Sequence, residues 1–474
     1  MPRSFLGVLY VLLVVSWSAG ASDRSGEVPA TPAAPLLADA NDAEPCSFAA
    51  VGTTITLADA VNRTLCANPK ARGAWQRIKV YAAGVRVARD SYWPIAGIKA
   101  AETESRTRTL VTDEHALDTS ANDLYPAASL SLNWVLYDFG LRANQLESAR
   151  DLLAAARANL DLTLQQVFLQ AAGDFYDAQA AQASTAAAEE IERLTQKSVE
   201  AAHMRVEKGV APLSDELQAQ TAYASAVVTR VRAAAELRAK LGALAGDMGV
   251  EPDRGFTVPA ADTNETAAPG FTEAVHDLIE MAKRTHPSVT AAERSLAAAI
   301  ADEKAARAHG RPTIELVGGL SRSNESLTPS LGSPTVPGSV SNKTVGIQID
   351  VPISDALWKR GQIAEAHAQV EVQQDALQGA EQQVAQDVWK SYVELQADTD
   401  NLENSRILLE SARNSLAATK HRYDGGVGNI LELLGSQTAY ANALQQRIRA
   451  FSDWRYARMA LGASLGKLGL WAVE

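Results

Sequence analysis

Cysteine is almost missing from this chain: Cys46 and Cys66 are the only two in 474 residues. So sparse a supply excludes a thiolate zinc site. In an exported chain an even pair reads as one disulfide closing a short N-terminal loop, two unpaired small apolar side chains being the alternative. The seven histidines (His115, His203, His276, His286, His309, His367 and His421) are scattered, with no H-x-x-x-H pair to hold a catalytic metal. No G-x-S-x-G nucleophile elbow occurs. Gly425-Gly426-Val427-Gly428 follows a helix rather than a strand and lacks the Gly-Lys-Ser/Thr ending of a phosphate loop. Neither an enzymatic activity nor a cofactor is expected. Basic excess is missing too, and a net charge of −12 disfavours nucleic acid as a partner. Beyond residue 21 no apolar run approaches the roughly 20 residues of a membrane-spanning helix.

What is present begins with an export signal. Arg3 supplies a positive start, Phe5 to Val15 an apolar run, and Ala19-Gly20-Ala21 a small-residue cleavage site. Residues 1–21 therefore read as a signal peptide, a short signal anchor being the alternative. No cysteine follows the cleavage site, which disfavours an N-terminal lipid anchor. Residues 22–51 are rich in Ala, Pro and acidic groups without periodicity, as in a flexible leader.

The rest of the chain is written twice. Gln220-Thr221-Ala222-Tyr223-Ala224-Ser225-Ala226 returns as Gln437-Thr438-Ala439-Tyr440-Ala441-Asn442-Ala443, an offset of 217 residues. Arg205, Gly209, Asp215 and Leu217 meet Arg422, Gly426, Glu432 and Leu434 at the same offset. Upstream, Asn68-Pro69 and Trp93-Pro94 face His286-Pro287 and Arg311-Pro312 at 218. The chain is a tandem duplication, with repeats at 52–254 and 271–468, a linker at 255–270 and a short tail at 469–474.

Each repeat reads as helix, two strands around a polar loop, a very long helix, a turn and another helix. The opening helices are expected from about Thr56 to Asp90 and from about Thr272 to His309. Between Leu141 and Glu207 there is no proline and one glycine, Gly173; its length as a helix is roughly 100 Å. The second copy, Gln362 to Tyr423, gives roughly 90 Å. An apolar stripe threads Leu146, Ala149, Leu153, Ala156, Leu160, Leu164, Val167, Ala171, Phe175 and Ala178. Helices this long must bury such a stripe against equally long neighbours, as in a bundle or a wall.

Four segments alternate at period two. Leu130, Leu132, Trp134 and Leu136 oppose Ser129, Ser131 and Asn133; Val345, Ile347, Ile349 and Val351 oppose Gly346, Gln348 and Asp350. Ile314, Leu316 and Leu320 form the third, and the weakest runs from about Pro94 to Glu102. Any half-buried antiparallel sheet shows this alternation. The strand length of about 9–11 residues and the long polar loops between them favour strands that face outer-membrane lipid. Four strands cannot close a barrel, and an open edge in hydrocarbon is forbidden. Two chains would give a filled eight-stranded barrel, three a twelve-stranded barrel with a lumen.

With Tyr137-Asp138-Phe139-Gly140 where strand becomes helix and two helix-turn-helix tips, the chain resembles the outer membrane factors of the TolC type over residues 52–468. Within them it is most similar to the outer-membrane components of cyclolysin (adenylate cyclase toxin) type I secretion. The resemblance implies a mostly α fold with membrane β, a homotrimer with a shared twelve-stranded barrel and a long periplasmic tunnel. It also implies a periplasmic adaptor and an inner-membrane ABC transporter as partners, with an exported protein as cargo; multidrug efflux is the alternative, and a periplasmic helical scaffold a more distant one. The tips, with Gly209 and Val210 in one and Gly425, Gly426 and Val427 in the other, correspond to the adaptor-contacting entrance. Asp215 and Tyr423 correspond to a hydrogen-bonded pair that holds the entrance shut, and Glu432 to a member of an acidic ring. Gly428 and Gly435 depart from the family pattern, Gly428 replacing a latching arginine and Gly435 a second acidic residue. Asp215 and Glu432 also suit the N-terminal turns of the returning helices, each such placement contributing about 0.3–1 kcal/mol.

Overall fold

The computed structural model describes residues 52–468 apart from 115–116, 254, 262–273, 326, 328–332, 334–335, 337 and 353–355. The signal peptide, the leader, the tail and Cys46 lie outside the described residues, so of the Cys46–Cys66 pair only Cys66 is described. The same order of elements occurs twice. In the first copy it is α1 (Leu57–Ala67), α2 (Pro69–Asp90), β1 (Ile95–Thr109), β2 (Thr119–Tyr137), α3 (Leu141–Glu207) and α4 (Leu213–Asp247). In the second it is α5 (Val275–Thr285), α6 (Pro287–Ala308), β3 (Thr313–Ser323), β4 (Val340–Asp350), α7 (Ala356–Asp424) and α8 (Ile430–Ser464).

Each opening helix, expected as one piece, is two. Proline donates no backbone hydrogen bond and pushes the preceding residue out of the helical region. Asn68 is accordingly extended (φ −63°, ψ 124°), and its Oδ1 accepts from Lys70 N at 2.8 Å, capping α2. His286 does the same for α6, its Nδ1 accepting from Ser288 N at 3.2 Å. Burial lowers the His286 pKa, which suits an acceptor nitrogen. The long helix α3 has the expected ends. Its twin α7 starts earlier than Gln362, carrying Gly361 inside the helix.

The helices form a wall one layer thick. Near the sheet its order is α2-α3-α6-α7; towards the turns it is α4-α3-α8-α7. Contacts between the copies include Arg294–Asp151 at 3.4 Å, Ser184–Gln445 at 3.1 Å and Gln437–Ser198 at 2.8 Å. Seven members of the expected α3 stripe, Ala156 through Ala178, are buried, while Leu146, Ala149 and Leu153 are half-buried. Alanines such as Ala156, Ala171 and Ala178 alternate with larger residues along this seam, and their small side chains let helix backbones come close. Gly173 marks the limit: a Cβ there would lie 3.0 Å from the Tyr456 ring on α8. Part of the expected linker is pinned to the wall. Thr257 exchanges backbone hydrogen bonds with Thr53 and Ile55, Val258 is 2% exposed, and the carbonyl of Pro259 accepts from Gln179 Nε2 at 2.8 Å.

The strands make one antiparallel sheet in the order β1-β2-β3-β4. At 15 and 19 residues, β1 and β2 run far beyond the segments expected from alternation. Their distal parts carry polar pairs such as Arg106–Asn122 at 3.0 Å. With both faces polar there, no period-two signal marks them.

Candidate functional site

Two parts of the molecule carry the residues singled out by sequence. The first is the sheet. Residues directly opposite one another in an antiparallel sheet share a face, so the register tests whether the four apolar sets coincide. They do. Ile98, Leu130 and Leu320 form one row, Ala96, Leu132, Gly318 and Val345 the next, then Trp134, Leu316 and Ile347, then Tyr137, Ile314 and Ile349. The rows between hold Lys99, Ser129, Ser321 and Asn342, or Gly97, Ser131, Gly319 and Thr344. One face is thus apolar from the Leu132 row to the Ile349 row, with Lys343 closing the Leu320 row, and the other is mainly small and polar, with Ile95, Val135 and Val317 as exceptions. Val351 lies one residue beyond β4, and a register irregularity between Val135 and Tyr137 sets Leu136 outside the rows.

The apolar face is uncovered within the chain. Val345, Ile347 and Ile349 are 82%, 69% and 64% exposed. The outer edges of β1 and β4 have no partner strand among the described residues. Trp134 sits close to the helical end of β2, and its Nε1 donates to the Tyr92 carbonyl at 2.9 Å. There the chain passes from sheet to wall through Tyr137-Asp138-Phe139-Gly140. Phe139 (φ 53°) and Gly140 (φ 92°) are both left-handed, which breaks the strand before α3 begins. Asp138 accepts from Gly140 N, Arg142 N and Arg142 Nε. Burial alone would raise its pKa, but these bonds and the Arg142 charge bring it below the usual range.

The second part is the far end of the wall, where the two helical hairpins turn. Gly209 (φ 72°) and Gly426 (φ 81°) supply the left-handed residue that a tight reversal needs. Val210 N then donates to the Arg205 carbonyl at 2.9 Å, and Val427 N to that of Arg422 at 3.0 Å. The turns diverge at the next residue. Gly428 N also reaches the Arg422 carbonyl at 3.0 Å, and a Cβ at Gly428 would lie 3.0 Å from Tyr423 N. No side chain fits there without a shift, whereas the first copy carries Ala211. Pro212 is the N-cap of α4 and gives no side-chain bond, while Asn429 caps α8 by accepting from Glu432 N at 2.8 Å. Val210 and Val427 stand at the apices, both about three-quarters exposed.

Tyr423 is 2% exposed, and its hydroxyl has no hydrogen-bond partner among the described residues. The hydrogen bond expected between Asp215 and Tyr423 is therefore not formed in this chain. Asp215 is close enough to act electrostatically. Burial chiefly, then the charges of Asp215 and Asp424, raise the phenol pKa, against the Arg205 charge. Arg205, which sequence reasoning used only as a repeat marker, is the side chain that reaches Tyr423. Glu432 pairs with Arg422 at 3.5 Å, which offsets its charge at the tip. Gly435 lies within α8 with open space around it.

The chain belongs to the outer membrane efflux protein family, whose pattern it matches over residues 60–250 and 278–467. Protein CyaE of Bordetella pertussis is 28% identical over 418 residues, covering 88% of this chain and 85% of that protein. Nodulation protein T of Rhizobium leguminosarum bv. trifolii is 24% identical over 416 residues, covering 86% and 84%. Among solved structures, the outer-membrane channel OprN has the same fold, with a TM-score of 0.72 at 21% identity over 87% of this chain and 90% of that one. No helix of the described residues is long and apolar enough to cross a membrane.

Proposed function

We propose that the protein is the outer-membrane duct of a type I secretion system, exporting a protein of the RTX-toxin class with an inner-membrane ABC transporter and a periplasmic adaptor. The observation that carries this reading is an open four-stranded sheet, apolar on one face, joined to a helical wall whose longest member is roughly 100 Å. In hydrocarbon the unpaired edges of β1 and β4 are untenable. Three chains joined edge to edge give twelve strands, enough to enclose a lumen. The wall has the same need as the sheet, since α4 and α7 are its outermost helices towards the turns. There α4 exposes Val228 and Val231, and α7 exposes Ile407 and Leu408. Three walls closing edge to edge would cover them.

In this assembly Leu130, Leu132, Trp134, Leu136, Ile347, Ile349 and Val351 meet lipid. Asp215, Tyr423 and Glu432 line the narrow periplasmic entrance, and the tips at Gly209-Val210 and Gly425-Gly426-Val427 meet the adaptor. The likeness to CyaE favours protein cargo; the family as a whole favours efflux as the second reading. Both are separated in one experiment: the chain is expressed with each type of inner-membrane partner in a host lacking its own duct. Released toxin with unchanged drug sensitivity supports secretion. Restored drug resistance without toxin release would replace it with efflux, and neither outcome would sink the duct.

A further inference from the structure

The duplicated arginines at the two tips have parted company. Arg422 stays in its own hairpin, paired with Glu432 at 3.5 Å. Arg205, its counterpart 217 residues earlier, crosses to the other repeat instead. Its Nη2 donates to the Tyr423 carbonyl, and its guanidinium carbon lies 4.1 Å from the Tyr423 ring centroid. Position 206, where the first copy would place a matching aromatic, holds valine, so the contact runs one way only. The Tyr423 carbonyl lies in the last turn of α7, where it accepts from Gly426 N at 3.0 Å and keeps a second lone pair for a side-chain donor. A planar guanidinium satisfies that acceptor and stacks on a ring in one placement, which an ammonium does not.

We propose that Arg205 is the clamp that fastens the second hairpin to the first and so keeps the entrance narrow. The hinge partner is the ring and carbonyl of Tyr423, not its hydroxyl, which is buried without a partner. Gly428 is part of the same arrangement: lacking a Cβ, it lets the turn fold back onto the Tyr423 amide, which holds the carbonyl in reach of Arg205. Opening then requires Arg205 to leave the ring and the carbonyl together.

The clamp itself can be read without assuming conduction; its effect on the entrance rests on the duct reading above. Full-length protein purified in detergent is compared as wild type, Arg205→Ala, Arg205→Lys, Tyr423→Leu, Tyr423→Phe and the double variant Arg205→Ala/Tyr423→Leu. Amide exchange over 421–428 and conductance in planar bilayers are measured on each. The clamp predicts faster exchange and severalfold higher conductance for Arg205→Ala, with Arg205→Lys intermediate. Tyr423→Leu, which removes the ring but leaves the carbonyl, should have a smaller effect than Arg205→Ala, and the double variant should add nothing to Arg205→Ala, because the ring contact is already lost there. Wild-type exchange in Arg205→Ala, or additive effects in the double variant, would overturn the clamp. So would Tyr423→Phe behaving like Tyr423→Leu, since that assigns the effect to the hydroxyl. Faster exchange with unchanged conductance would leave the clamp standing and remove the entrance from the duct reading.

Discussion

Helices α4 and α8 are each 35 residues long and share the repeated heptapeptide, yet they live in different surroundings. Twelve residues of α8 are buried, including Tyr440, Phe451, Trp454 and Leu461; in α4 only Ala219, Ala226, Leu244 and Ala245 are. Between them stands α3. It covers α8 on one side and α4 on the other, but α7 covers only α8 again. The difference is one of position in a row: α8 is interior to the wall and α4 is at its edge. Duplication gave both helices similar faces, and the edge copy keeps exposed Leu213, Leu217, Val228 and Val231. A lone chain has no use for such a face, whereas a ring of chains does.

The sharpest test of interior against edge uses one position in both copies. Trp454 on α8 is 3% exposed and packs on Phe451 with a ring separation of 6.2 Å. Its counterpart on α4 is Leu237, half-buried. Trp454→Ala should destabilise the chain by about 3–5 kcal/mol, read as the midpoint of unfolding in denaturant. Leu237→Ala should cost less than half as much in the monomer's own fold. Equal losses would mean that α4 is as enclosed as α8, and the edge account would fail.

The same distinction can be pushed on the sheet, where depth replaces edge position. Leu132 belongs to the central row with Gly318 and Val345, whereas Trp134 lies one row nearer the helices. A cation on a lipid face costs about 2–4 kcal/mol at mid-bilayer and about 0–1 near the interface. Leu132→Arg should therefore lower outer-membrane yield strongly, and Trp134→Arg much less. If Ser131→Arg on the opposite face proved the more damaging, the faces would have to be exchanged.

Much of this was legible in the residues. The offset of 217 located both tips, and Gly140 and the Lys208-Gly209 turn bounded α3, whose 67 residues hold no proline. Alternation found the apolar face wherever one side of the strand is apolar and the other polar, and missed the distal parts of β1 and β2, where both are polar. Proline at 69 and 287 was visible as part of the duplication, yet its consequence for the helix went unread. The Arg205–Tyr423 contact was out of reach for a different reason. Offset comparison aligns Arg205 with Arg422 and predicts similar roles, but only the packing of α3 against the second repeat shows that one crosses and the other does not.

A smaller effect separates the two copies of the heptapeptide. Tyr440 Oη donates to Glu190 at 3.2 Å across the repeats, while Tyr223 is half-buried on α4. Tyr440→Phe should lose about 1.5–3 kcal/mol, the range of a hydrogen bond to a charged group, and Tyr223→Phe close to nothing. Thermal midpoints of the two variants measure this directly. A larger loss at Tyr223 would place α4 in an interior that the single chain does not supply.

The weakest expected difference concerns how each hairpin's two helices meet. Asp174 on α3 and Asp247 on α4 stand together, with Asp177 and Lys240 beside them at 2.7 Å from one another. At the same offset, the α7–α8 contact holds Ser391 and Ser464. Burial first, then the Asp247 hydrogen bond and charge and the Asp177 charge, push the Asp174 carboxyl up to about 7, against the opposing charge of Lys240. A carboxyl whose folded pKa is raised binds its proton more tightly in the folded state. Its contribution is complete below the unfolded value of 3.8 and disappears as pH rises through about 7. The thermal midpoint should fall between about pH 4 and about pH 7, and Asp174→Asn should flatten that slope. Solvent reaches this half-buried group, and screening keeps the change small. A slope that survives Asp174→Asn would assign the pH response to other groups and remove this contrast between the α3–α4 and α7–α8 contacts.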